Sequence, residues 1–110
     1  MANYLLVESR DPYQFTDAEA FYQIAADLAK AGNAVTVYLV QNGVLPARRG
    51  AKNGQVATLA ATPSITVLAD DFSLRERAIS ANNLESGVSA STVDDLVDLL
   101  VQPGTKAIWH

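Results

Sequence analysis

Ile65-Thr-Val-Leu-Ala-Asp-Asp-Phe-Ser-Leu-Arg-Glu-Arg-Ala-Ile79 decides the fold class. Ser64 to Leu68 is rich in β-branched residues and reads as a buried strand. A short acidic loop follows, and Ser73 to Ser80 reads as a helix opened by a capping box of Ser73 and Glu76. A strand that feeds straight into a helix is the building unit of a parallel α/β sheet. In such sheets, ligands gather in the crevice at the carboxyl ends of the strands. Asp70, Asp71, Ser73 and Arg75 therefore become ligand-binding candidates.

The same alternation runs outward in both directions. Tyr4 to Val7 reads as a first strand. Thr16 to Ala31 reads as a helix, with a Thr16–Glu19 capping box, an apolar stripe of Phe21, Ile24, Ala25 and Leu28, and a stop at Gly32. Ala34 to Val40 is the second strand, so the first two strands and their helix form a βαβ unit. The turn Gln41-Asn42-Gly43 and a helical turn at Val44 to Ala47 follow. Arg48 to Gly54 is polar and glycine-rich and reads as a mobile loop, with Gln55 to Ala61 a small helix beyond it. Asn82-Asn83 is a turn, and Gly87-Val88 begins a very short fourth strand. The last helix starts at Ser91 or Thr92 with a stripe of Val93, Leu96, Val97 and Leu100, and Thr105 to Trp109 is an edge strand. The expectation is one domain over residues 1–110: a small three-layer sandwich whose mostly parallel, four- to five-stranded sheet carries helices on both faces.

Composition narrows the function. At 110 residues with 49% apolar content, folding can bury roughly two-thirds of the extended-chain surface, enough for a core without cross-links. A net charge of −4 argues against nucleic acid as a partner. Zero cysteines exclude thiol catalysis, disulfides and cysteine-ligated metals, and one histidine makes no metal site. No metal and no cofactor are expected. There is no basic leader before Glu8 and no apolar run near the ~20 residues of a membrane span, so the expected location is the cytoplasm.

Each candidate has a structural and a functional reading. Asp70 and Asp71 suit a helix start, where a carboxylate complements the dipole, or a general base in the crevice. Ser73 is an N-cap, or a nucleophile that would need a base, and the one histidine is the distant His110. Arg75 and Arg77 lie two apart and so point in different directions, one to solvent or a partner and one to the crevice. Arg10 and Asp11 follow the first strand, with Tyr13 near, and Asn42 and Gly43 follow the second. Topology would let Arg10, Asn42 and Asp70 line one crevice. Arg48, Arg49 and Lys52 form the one basic cluster, which reads as a solvated loop, an anion-binding flap or a docking surface for an acidic partner. Trp109 reads as packing on the sheet or on a neighbouring subunit. Tyr4, Tyr22 and Tyr38 are core aromatics or interface surface.

Three segments carry a family resemblance. Ala34-Val-Thr-Val-Tyr-Leu-Val-Gln-Asn-Gly-Val44, Ile65 to Ile79, and Gly87-Val-Ser-Ala-Ser-Thr-Val-Asp-Asp-Leu-Val-Asp-Leu-Leu100 resemble, in that order and spacing, the DsrE-like family. This family includes sulfur-relay subunits of the Dsr and Tus type, and the likeness extends over nearly the whole chain. It implies a small α/β sheet assembled as trimers or hexamers, alone or with a DsrE-like paralogue. Active members carry a persulfide on a cysteine just after the third strand. That position falls at or near Asp70, a second family cysteine near Ser73, and the family's glycine after the arginine at Ala78. A carboxylate forms no stable persulfide. The resemblance therefore implies a non-catalytic assembly or binding subunit in sulfur metabolism. The alternatives are a binder of a small anion or nucleotide in the crevice after strands one to three, and, more weakly, an aspartate-based hydrolase or lyase.

Overall fold

The computed structural model describes residues 2–110. Five strands, β1 (Asn3–Glu8), β2 (Ala34–Leu39), β3 (Ile65–Asp70), β4 (Val88–Ser91) and β5 (Thr105–Trp109), form one sheet in the order β4-β3-β2-β1-β5. Every neighbouring pair is parallel, with Asn3 opposite Ala34 and Val7 opposite both Tyr38 and Trp109. The helices are α1 (Asp17–Lys30), α2 (Gln55–Ala60), α3 (Asp71–Glu76) and α4 (Val93–Val101), with 3-10 turns at Gln41–Ala47 and Ala81–Asn83. The expected α/β sandwich is borne out, with all five strands parallel. No helix among the described residues is long and apolar enough to cross a membrane.

Side chains alternate across a strand, and the two faces of this sheet are filled very differently. On one face Leu6, Val35, Val37, Leu39, Ile65, Val67 and Val88 pack with Phe21 and Tyr22 of α1 and with Val56 and Leu59 of α2. On the other, Leu5, Val7 and Tyr38 meet α4 through Leu96, with Leu68 and Leu99 partly buried beside them. The Tyr38 hydroxyl donates to the Thr92 carbonyl at 2.6 Å and ties β2 to the start of α4.

Several local expectations are corrected. α1 buries Ala18, Phe21, Tyr22 and Ala25, while Ile24 is exposed, because the contact line runs one residue away from the expected stripe. α4 rests on Leu96 and Leu99, so Val93, Val97 and Leu100 face outward. Tyr22 and Tyr38 are core residues and offer no interface surface. The Thr16–Glu19 capping box does not form. Thr16 already has helical backbone angles, whereas a capping residue needs an extended backbone to aim its oxygen at the first turn. The Ser73–Glu76 box is displaced as well. β3 continues to Asp70, α3 begins at once, and Asp70 is the capping residue. Its carboxylate accepts from the Ser73 amide at 2.9 Å. α4 does carry a capping box, formed by Thr92 and Asp95. The loop read as mobile is anchored instead: Arg48 bridges Leu84, and the Arg49 amide donates to the Asn83 carbonyl at 2.9 Å.

Candidate functional site

The chain steps from β1 through β2 and β3 to β4, then returns across the sheet to place β5 on the other side of β1. This reversal puts a topological switch point at the carboxyl ends of β1 and β5, where crevices open in doubly wound sheets. Here the space is filled. Glu8 ends β1 with no solvent exposure. Its carboxylate takes the Arg10 amide at 2.9 Å and the His110 ring through Nδ1 at 2.9 Å. The other ring nitrogen, Nε2, meets Asp17 at 3.2 Å, and Asp17 also pairs with the Arg10 guanidinium at 3.0 Å. The imidazole stacks on Phe21 with centroids 5.0 Å apart. The His110 amide donates to the Val7 carbonyl, and the Ser9 amide and hydroxyl both donate to the His110 carbonyl.

The electrostatics follow from this packing. Burial pushes the Glu8 carboxyl above its ordinary range, and its hydrogen bond to His110 partly offsets the rise. The hydrogen bond that the His110 imidazole donates to Glu8 raises its pKa, against a smaller lowering by burial. Burial, and then the Glu8 charge, raises the Tyr22 phenol. With both ring nitrogens within reach of carboxylates, His110 is a strut between Glu8 and Asp17 rather than a free base. Glu8 and Asp17 approach opposite sides of the ring, so their lone pairs do not converge on a metal-sized point. Among the described residues no cluster of three histidine or acidic side chains could hold a metal ion. Asp11, also buried, accepts the Tyr13 and Gln14 amides through Oδ1, while its Oδ2 and the nearby Tyr22 hydroxyl find no partner.

The loops after β2 and β3 form a second cluster. Asp70 Oδ2 accepts from both the amide and the hydroxyl of Ser73, the latter at 2.7 Å. The Ser73 hydroxyl in turn accepts the Gln41 amide at 2.8 Å, which steadies Gln41 at φ 52°. Arg77 donates to the Asn42 side chain at 2.9 Å and to the Ser73 carbonyl. Arg75 is exposed. Gly43 is required by contact: a Cβ there would lie 2.2 Å from the Glu8 carbonyl oxygen. Beside this polar knot opens an apolar cleft of about 410 Å³, bordered by Asp70, Phe72, Val93, Leu96 and Trp109. Phe72 is 57% exposed and Trp109 62% exposed, so both border the cleft with much of their surface open to solvent.

Of the expected site residues, the structure joins Asp70 with Ser73, and Asn42 with Arg77. It holds Arg10 in a different set, against Asp17 and over the Phe15 ring at 5.3 Å. Glu8 and His110 escaped the sequence reading. Glutamate is rarely fully buried, and the partners are far apart in sequence, so no local pattern marks them.

No family model matches the chain, and neither does any curated protein. Solved structures do resemble it. The ychN protein from E. coli has a TM-score of 0.83 at 20% identity, over 98% of this chain and 100% of that one. MTH1491 from Methanobacterium thermoautotrophicum, described as a protein of unknown function, has a TM-score of 0.79 at 18% identity, over 98% of this chain and 97% of that one. The likeness supports the DsrE-like fold expected from the sequence.

Proposed function

We propose that this chain is a non-catalytic assembly subunit of the DsrE-like type, acting in the cytoplasm in a sulfur-relay context as a homo-trimer or hexamer or beside a thiol-bearing paralogue. The observation that carries the reading is the outward apolar surface around Phe72, Val93 and Trp109, prolonged along α4 by Val97 and Leu100. Large aromatic and branched side chains grouped in this way mark interaction surfaces on soluble proteins. Full burial of such a side chain is worth roughly 1.5–3 kcal/mol, and because these are 40% to 62% exposed, cover by a partner adds roughly half of that for each.

The chemistry beside that surface supports a non-catalytic role. With no cysteine in the chain, nothing holds sulfur as a persulfide. The carboxylate of Asp70 is committed to its own helix start. That negative charge also disfavours an anion at the start of α3. Native mass spectrometry of the protein purified from its own source tests the proposal. A trimer, hexamer or paralogue complex that Trp109→Glu with Val93→Glu reduces to monomers is the expected result. A wild-type protein that is strictly monomeric at tens of micromolar overturns it.

A further inference from the structure

A separate cavity of about 400 Å³ lies where the loop after β1 meets the loops that follow β2 and α3. Arg48, Arg49 and Lys52 line it, together with Tyr13 and Asn83. We propose that this cavity binds a mononucleotide-class ligand, with the three cations taking the phosphates and the Tyr13 ring stacking on the base.

Charge gives the first argument. The chain carries eight lysines and arginines against twelve acids, yet three of the eight fall within five residues of one another here. Arg10 and Arg77 each have an acid within 4 Å, whereas no carboxylate of the described residues lies that close to Arg48, Arg49 or Lys52. Glu85 is held at the rim by the Gly50 amide, which leaves the three cations in excess at this concavity, and a multiply charged anion is attracted to that excess. Arg48 gives its Nε to the Leu45 carbonyl, which leaves its terminal nitrogens for a ligand. The backbone amide of Arg49 is held by Asn83, so its side chain projects from a fixed point.

Shape gives the second. The volume falls within the range of small-molecule sites. Tyr13 is 46% exposed at the cavity wall, on a turn pinned by the buried Asp11. An aromatic face beside a cluster of cations suits a ligand that has both a planar ring and phosphates. The cavity also lies at the carboxyl side of the sheet, where such ligands sit in related architectures.

Equilibrium binding of ADP, pyrophosphate and adenosine to the whole protein tests the proposal. ADP should bind, pyrophosphate should bind roughly tenfold more weakly for want of the stack, and adenosine should not bind measurably. Arg49→Gln with Lys52→Gln should weaken ADP at least tenfold, and raised salt should mimic it. Tyr13→Leu should weaken ADP and leave pyrophosphate unchanged. All three positions are solvent-exposed, so the variants should fold. No ADP binding at millimolar concentration overturns the proposal, as does binding that the double variant leaves intact. Pyrophosphate binding as tight as ADP overturns the ligand class. The cavity shares no residue with the apolar cleft, so Trp109→Glu should leave ADP binding as it is.

Discussion

The acid that ends β1 and the acid that ends β3 occupy equivalent places in the fold and have opposite environments. Asp70 faces an amide and a hydroxyl from its own helix start, three residues away. Glu8 depends on a histidine 102 residues away and on the amide of Arg10. The first is a local device that any helix beginning at a strand end can build. The second exists only once β5 lies beside β1. The switch point, where topology alone would place a ligand, is therefore closed by a buried acid–imidazole contact, and the open surface has moved to the neighbouring apolar cleft.

The largest expected effect of breaking this contrast comes from Glu8→Ala. It leaves His110 Nδ1 and the Arg10 amide without their partner and opens a void, at a cost of about 2–3 kcal/mol. Thermal or urea unfolding should show it as a large drop in midpoint. Glu8→Gln keeps the shape and should lose much less. The pH dependence gives the sign. Both Glu8 and His110 have raised folded-state pKa values. The folded state therefore binds more protons than the unfolded state in two windows, one running upward from pH about 4.5, the ordinary value for Glu8, to its raised folded value, and one running upward from about 6.5, the ordinary value for His110, to its raised folded value. Stability should fall as pH rises through each window. His110→Gln should flatten the upper part, and unchanged curves would show that the contact does not form in solution.

Asp70→Ala should cost less, about 1–2 kcal/mol, the range for a lost N-cap. Asp70→Ser should recover most of it, since a hydroxyl can also accept from the first turn. Recovery by serine, measured by the same unfolding curves, would establish Asp70 as a capping residue. Failure to recover would point to a role for its charge.

What the sequence disclosed follows the same divide between local and distant. The strands, their order and the alternation were legible because Val35 to Leu39 and Ile65 to Ala69 carry dense β-branched and apolar runs. Asp70 and Ser73 were both placed at the helix start, but the capping box was assigned to Ser73 rather than Asp70, because a serine followed three residues on by a glutamate and an aspartate followed three residues on by a serine overlap in one segment. The face of α4 was misjudged because Val93, Leu96, Val97, Leu99 and Leu100 are all apolar, so periodicity cannot say which line meets the sheet. Gly43 read as a turn glycine, yet it is fixed by the Glu8 carbonyl, a contact between the end of β1 and the turn after β2 that no local rule contains.

The smallest expected effect concerns how the helices end. α1 and α3 close with the same hydrogen bonds. The Asn33 amide reaches the Leu28 carbonyl and Gly32 that of Ala29, while the Ile79 amide reaches Leu74 and Ala78 that of Arg75. This is the Schellman arrangement, whose penultimate residue adopts left-handed backbone angles. At α1 that residue is Gly32, at φ 93°, and at α3 it is Ala78, at φ 55°. A Cβ in that conformation costs roughly 1–2 kcal/mol, against a gain of about 0.4–1 kcal/mol from restricting the unfolded chain. Ala78→Gly should thus stabilise the protein by about 0.5 kcal/mol, while Gly32→Ala should destabilise it by a similar amount. The same position is the one at which the family resemblance expects glycine. A stabilised Ala78→Gly protein would mean that α3 ends in the left-handed turn to which a glycine is suited. A destabilised one would mean that α3 ends differently in solution, and the contrast between the two acids would then have to be redrawn from the helix that Asp70 caps.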